Sequence, residues 1–190
     1  MDALKEKILQ SGKVIDNRLV KVDSFLNHQV DIELLNKIGK EFQKRFGNKN
    51  VTKILTLEAS GIAIACITAQ YFNVPVVFAK KHEANNLDKN RYETKVYSFT
   101  KDTLYNIKVA KEYLQPADKI LIIDDFLAYG QAMAGLIDLV KQAGAEIAGI
   151  GIVIEKSFQK GREMIKDPDI QLESLAIIEA IQNGKITFNK

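Results

Sequence analysis

The 190-residue chain has one cysteine and two histidines. A lone thiol cannot build an internal disulfide framework, and His28, Cys66 and His82, so far apart in sequence, do not assemble a recognisable zinc site. Cys66 falls in Ile-Ala-Ile-Ala-Cys-Ile, where a small buried thiol is expected in preference to a nucleophile. The two histidines read as polar surface or hydrogen-bonding residues. No apolar run is long enough to span a bilayer, and the opening Met-Asp-Ala-Leu-Lys-Glu-Lys lacks the apolar core of a signal peptide. Neither sign of charge dominates: 27 Lys and Arg against 24 Asp and Glu leave +3. The lysines are scattered without a long basic run, so nothing asks for nucleic acid as a partner. Tandem repeats and low-complexity tracts are also missing. With 46% hydrophobic and 27% charged residues, the chain suits one soluble domain with a full-sized core, and a cytoplasmic enzyme or regulator is expected.

Two familiar phosphate motifs are missing as well. Gln131 and Ala132 stand where a Walker loop would place its lysine after Gly130. Gly149 and Gly151 lie early in an apolar run with no third glycine at 154. That run continues as a strand to Glu155, where a dinucleotide fingerprint would need a helix.

Hydrophobic periodicity supplies the positive signal. Residues 2–10 and 31–46 carry helical patterns, the second through Ile32, Leu35, Ile38, Phe42 and Phe46; residues 14–27 between them are less regular. Strand and helix then alternate: strand 51–57, helix 61–72, strand 74–79, strand 119–123, helix 131–143, strand 148–155. This order predicts an α/β fold, a central parallel sheet with right-handed crossovers and helices on both faces. Residues 82–118 form a long insertion, polar at first and alternating over 92–100, which reads as a lid able to reach over the open end of the sheet. Residues 172–181 are apolar enough for an edge strand or a final packed turn.

Chemistry concentrates at residues 120–133, Ile-Leu-Ile-Ile-Asp-Asp-Phe-Leu-Ala-Tyr-Gly-Gln-Ala-Met. An apolar strand leads to Asp124 and Asp125, then a small-residue loop, then a helix start. Two carboxylates at the carboxyl end of a buried strand can accept hydrogen bonds from sugar hydroxyls, and the loop amides and helix N-terminus can hold a phosphate. The competing reading is a turn with two solvated aspartates. The unbroken apolar run through Ile123, the acids directly after it and Gly130 where the backbone must bend favour the ligand site. Two further loops should converge on it: Glu58-Ala59-Ser60-Gly61, small residues ahead of a helix, and Lys80-Lys81-His82, a cation cluster suited to a leaving diphosphate. The strand over 148–155 ends in Glu155-Lys156-Ser157-Phe158. Lys156 has three donors and no acceptor, which matches a purine carbonyl and mismatches an exocyclic amine, and Phe158 could stack on a flat ring. A solvated lysine at a strand end is the alternative.

The 120–133 stretch resembles the phosphoribosyl-diphosphate signature of the type I phosphoribosyltransferases. Lys21-Val22-Asp23-Ser24-Phe25-Leu26-Asn27-His28-Gln29 and Gly149-Ile-Gly-Ile-Val-Ile-Glu-Lys-Ser-Phe extend the resemblance over nearly the whole chain, to the bacterial xanthine branch. The resemblance implies a hood over the base from about residues 1–36, a flexible lid over about 82–118, and transfer of phosphoribose from its 1-diphosphate to xanthine. It implies that Asp124 and Asp125 orient the ribose and that Ala128, Tyr129, Gly130, Gln131 and Ala132 hold its 5-phosphate. Ala59, Ser60, Lys80 and Lys81 would meet the pyrophosphate, and Val20, Asn27 and Lys156 the purine. A substrate-held Mg2+ and a homodimer are further implications.

The departures from the family pattern carry information. Many relatives have Thr, Gly and Thr around Tyr129, Gln131 and Ala132, so phosphate contacts here fall to the backbone. Ala128 stands where the hypoxanthine-guanine branch has an aspartate, so any general acid or base must come from elsewhere, Glu93 or another lid residue. Val20 replaces the usual leucine and keeps an apolar wall one methylene shorter. Two alternatives stay open: guanine or hypoxanthine as the base, and a non-catalytic phosphoribosyl-diphosphate-sensing regulator. Regulators of that kind usually add a DNA-binding domain or a basic RNA-binding face, and the chain signals neither.

Overall fold

Alternation along residues 120–123 sets which way the sheet faces. Ile120 and Ile122 enter one apolar core, and Leu121 and Ile123 enter another on the opposite side of the same strand. A strand buried on both faces belongs inside a sheet covered on both sides. A computed structural model of the chain, which describes residues 1–16, 19–81, 90–98 and 102–189, has that arrangement. The elements are α1 (Asp2–Ser11), β1 (Lys13–Ile15), β2 (Leu19–Lys21), a π-helical turn (Asp23–Asn27), α2 (Ile32–Phe46), β3 (Lys53–Leu57), α3 (Ser60–Phe72) and β4 (Val76–Ala79). After them come β5 (Arg91–Ser98), β6 (Thr103–Ala110), β7 (Lys119–Leu127), α4 (Gln131–Ala143), β8 (Glu146–Lys156), β9 (Leu172–Gln182) and β10 (Lys185–Phe188). Six strands form the main sheet in the order β10-β9-β8-β7-β3-β4. Its members run parallel except β10, which pairs antiparallel with β9.

Helices α1, α2 and α3 cover the face of Leu121 and Ile123, while α4 and the β5–β6 hairpin cover the other. The side chain of Asp31 caps α2 by accepting from the Leu34 N–H at 3.1 Å, and it pairs with Lys7 of α1 at 2.8 Å, which ties the two helices together. Gly149 and Gly151 of β8 leave room for the α2 rings: a Cβ there would stand 2.5 Å from Phe46 and 2.7 Å from Phe42. Packing, rather than nucleotide binding, explains this glycine pair.

The structure departs from the sequence reading in several places. β7 runs on to Leu127, because its pairing with β8 continues through Asp124 with Ile152, Phe126 with Ile154 and Leu127 with Glu155. Asp124 and Asp125 therefore lie within the strand, and the loop begins at Ala128. The segment over 172–181 is a full parallel strand, its Leu175, Ala176 and Ile178 buried, and β10 follows it back. Cys66 is exposed, not buried: α3 turns Ile64, Ala65, Thr68 and Ala69 inward, and Cys66 falls off that arc. The irregular stretch over 14–27 is the β1–β2 hairpin, pairing Val14 with Val20, followed by the turn that buries Phe25 and Leu26.

Of the insertion over 82–118, residues 82–89, His82 among them, and 99–101 lie outside the described residues. Most of the rest is a hairpin, with a short turn over 111–118 leading into β7. β5 and β6 pair from Arg91 with Ala110 to Ser98 with Thr103, and bury Val96, Ile107 and Val109 in the core beside α4. A bridge between Lys80 and Lys108 fastens the hairpin to the end of β4. Among the described residues no helix is long and apolar enough to cross a membrane.

Candidate functional site

The site forms where β3, β4, β7 and β8 all end, because parallel strands deliver their carboxyl ends to one rim. Asp124 and Asp125 are 6% and 9% exposed. Burial pushes the Asp124 carboxyl well above the usual carboxylate range, and the neighbouring Asp125 charge adds to it. Lys81 acts in the opposite direction on Asp124. Asp125 accepts the Phe126 N–H at 2.9 Å, and Asp124 accepts the Asp125 N–H at 3.0 Å, so each carboxyl is turned along its own backbone.

The loop after β7 bends at Gly130, φ 78°, a conformation that costs other residues. Its first helical hydrogen bond runs from the Ala134 N–H to the Gly130 carbonyl, 2.8 Å. The N–H groups of Gln131, Ala132 and Met133 precede that bond, and no side chain among the described residues caps α4. These are the free ends that an anion can use. A cavity of about 190 Å³ opens here, lined by residues 126–133 together with Tyr97 and Tyr105 from the hairpin. The turn over 157–164 braces the loop from behind. Gly161 lies against the Ala128 carbonyl, and a Cβ on Gly130 would stand 2.5 Å from the Gly161 carbonyl.

The loop after β3 enters α3 without a side-chain cap, through a cis peptide between Glu58 and Ala59. A Cβ on Gly61 would collide with Thr56 Oγ1 and lie 3.4 Å from Asp124 Oδ1, so this loop sits directly against the acid. Ala59 is exposed and Ser60 half-buried at the helix start. Glu58 accepts the Lys81 N–H and thereby joins this loop to the end of β4. Lys81 is half-buried, its ammonium 5.8 Å from the Tyr105 ring centre. Lys80 is exposed, so the structure brings one of the two expected lysines to the acids.

At the end of β8, Lys156 is 7% exposed, with its ammonium 5.3 Å over the Phe126 ring. Burial lowers its pKa, and Asp125 partly restores it. A buried cation aimed at the rim excludes the solvated-lysine reading. Phe126, the residue directly after the acid pair, carries the aromatic contact. Phe158 is 41% exposed beyond it. Val20 is buried in the same core as Ile154 and Ile178, while Asn27 is exposed at the end of its turn. The structure thus places Asn27 at the surface of the hood and shows no contact between it and Lys156.

Glu93 does not belong here. Its N–H donates to Gln142 at 3.3 Å, and Gln142 lies near the far end of α4 from the loop. Eleven helical steps separate Gln131 from Gln142, about 16 Å. Its carboxyl is engaged by Arg91 at 2.8 Å and Asn106 at 2.7 Å, and the Arg91 hydrogen bond holds it below the usual range.

Sequence reasoning gave no role to Glu58, Phe126, Tyr105, or the pair of Glu155 with Arg162. Glu155 is 3% exposed and accepts from Arg162 Nε at 3.0 Å, from Arg162 Nη2 at 2.6 Å and from Ser174 Oγ at 2.5 Å. This fork pins the turn that braces the phosphate loop. An acid next to Lys156 with an arginine seven residues later was the available signal.

A parallel sheet whose rim joins two buried acids, an uncapped helix start and a buried lysine has the form of a sugar-phosphate transferase site, and the family comparison agrees. Residues 22–183 match the phosphoribosyl transferase domain, and the chain belongs to that family. It is 60% identical over 188 residues to a xanthine phosphoribosyltransferase of Clostridium novyi, covering 99% of both chains. To a protein of the same name from Clostridium tetani it is 62% identical over 189 residues, covering 99% of this chain and all of the other. Among solved structures, the adenine phosphoribosyltransferase of Giardia lamblia complexed with 9-deazaadenine superposes with a TM-score of 0.78 at 23% identity, covering 93% of this chain and 97% of that one. That likeness shows the fold.

Proposed function

We propose that this chain transfers the 5-phosphoribosyl group of phosphoribosyl diphosphate to xanthine, giving xanthosine 5′-monophosphate and pyrophosphate, a purine-salvage reaction. The observation that carries the reading is the adjacency of Asp124 and Asp125 to an uncapped phosphate loop, with Lys156 buried across from them. Relatives 56% to 62% identical over nearly the whole chain bear the name of this activity.

Breaking the anomeric bond develops positive charge on the ribose ring, as in glycoside hydrolysis. Asp124 and Asp125 accept the ribose hydroxyls and lie where negative charge steadies that cation. Ala128, Tyr129, Gly130, Gln131 and Ala132 hold the 5-phosphate through their backbone. Ala59, Ser60 and Lys81 meet the departing diphosphate, with Lys80 at the edge. Lys156 donates to an oxopurine carbonyl, and Val20 and Asn27 close the hood over the ring. Fixing two substrates in line can supply roughly 7 to 11 kcal/mol of the barrier.

A substrate-held Mg2+ is compatible with this rim, where the diphosphate would lie beside Lys81. Such an ion keeps several waters and is held largely by the substrate's own phosphates, in keeping with the described residues, which contain no cluster of three or more ligating side chains. Bound in this way, it would neutralise charge building on the diphosphate. We place the protein in the cytoplasm as a homodimer.

The test is pyrophosphate release from phosphoribosyl diphosphate with xanthine, guanine and hypoxanthine in parallel. Release with xanthine at the highest kcat/KM supports the reading. Preference for guanine or hypoxanthine changes the base, and release with no base at all leaves a ligand-sensing protein.

A further inference from the structure

The hairpin carries a polar group that the reaction has not yet used. Tyr105 of β6 is half-buried and lines the cavity with residues 126–133. Lys81 stands over its ring at 5.8 Å. The phenol therefore lies between the lysine that faces the diphosphate side and the loop that receives the 5-phosphate. Among the described residues its hydroxyl has no hydrogen-bond partner, and it opens onto the cavity, where it is within reach of a ligand. Water serves the hydroxyl in the ligand-free protein, and a phosphate oxygen entering the cavity can take that water's place. Burial, and then the Asp124 charge, raises its pKa, so it stays protonated and acts as a donor.

We propose that Tyr105 is a substrate-binding residue whose hydroxyl donates a hydrogen bond to the 5-phosphate of the bound sugar phosphate, across the cavity from the amides of residues 128–132. The loop lacks the threonine hydroxyls common among relatives, and Tyr129, Gln131 and Ala132 stand in their region. Tyr129 is the one hydroxyl-bearing residue among 128–132, and Tyr105 adds a second phenol to the same cavity from the hairpin. The proposal rests on the reading of residues 128–132 as a sugar-phosphate cradle.

Tyr105→Phe isolates the hydroxyl, because the ring and its contact with Lys81 remain. Expected are a roughly ten-fold rise in KM for phosphoribosyl diphosphate, kcat within about two-fold, and an unchanged KM for the base. By calorimetry, affinity for ribose 5-phosphate should fall by a similar factor while affinity for pyrophosphate does not. Tyr92→Phe removes a hydroxyl elsewhere on the same hairpin and should leave all these values alone; an equal effect from it would trace the change to the hairpin's position and overturn the proposal. Loss of pyrophosphate affinity with ribose 5-phosphate binding intact would also overturn it, as would a Tyr105→Phe enzyme indistinguishable from the parent. Failure of the unaltered protein to bind ribose 5-phosphate would sink the cradle reading itself, a distinct outcome.

Discussion

Replacing Gly130 by alanine should damage stability and sugar-phosphate binding together, since one residue governs both. Its φ of 78° is left-handed, and a side chain in that conformation costs about 1 to 2 kcal/mol. The new Cβ would also stand 2.5 Å from the Gly161 carbonyl and 2.9 Å from Met164 Cβ. The carbonyl is main chain in a turn pinned by the fork of Arg162 on Glu155, so it cannot swing aside as a flexible side chain would. Overpacking of this kind costs about 1 to 3 kcal/mol. Together the loss is about 2 to 5 kcal/mol, which for a chain of this length lowers Tm by roughly 4 to 20 °C. Relief by moving the loop shifts the amides that face the phosphate. A misplacement of about 1 Å can cost about a hundred-fold in rate, so KM for phosphoribosyl diphosphate should rise at least ten-fold, with a smaller change for the base. Thermal unfolding followed by circular dichroism and steady-state kinetics measure both. A Gly130→Ala protein with the parental Tm and KM would refute the reasoning, for it would mean that the Gly130–Gly161 contact does not set the loop.

Other substitutions probe the remaining parts. Asp124→Asn should lower turnover by at least a hundred-fold and yet raise the Tm of the ligand-free protein near neutral pH. The folded pKa of Asp124 lies above its unfolded value, so its contribution to stability is complete below the unfolded pKa and is lost as pH rises through the folded one. The Tm difference should therefore shrink toward pH 4, and a constant difference from pH 4 to 8 would contradict the burial argument. Lys156→Met keeps an apolar stem over Phe126 and removes the donor; KM for the purine should rise roughly ten- to a hundred-fold while KM for phosphoribosyl diphosphate holds, and equal shifts in both would reject its role in reading the base. Arg162→Met strands the Glu155 carboxylate, 4% exposed by its side chain, although the guanidinium itself is 46% exposed. With that exposure discounted, about 1 to 3 kcal/mol of stability should be lost, and urea unfolding with an unchanged midpoint would show that the turn over 157–164 is held by something else.

The sequence alone determined what depends on neighbouring residues. The unbroken run from Ile120 to Ile123, the two acids after it and Gly130 locate strand, rim and phosphate loop, because burial alternation and turn chemistry are written within a dozen residues. The helices α2 and α4 are legible for the same reason, and so is Lys156 at the end of an apolar run.

Tertiary structure decided what depends on residues far apart in the chain. Asp124 and Asp125 lie inside β7 because pairing with β8 extends the strand past its apolar run. Lys81 rather than Lys80 meets the acids because the bridge to Lys108 and the bond to Glu58 fix the end of β4. Cys66 is outside because a helix of almost wholly apolar sequence can bury only the arc that touches the sheet. Glu93 leaves the site and Tyr105 enters it through the register of the β5–β6 hairpin along α4. Such choices arise from the packing of surfaces separated by tens of residues, and no local pattern in the chain encodes them.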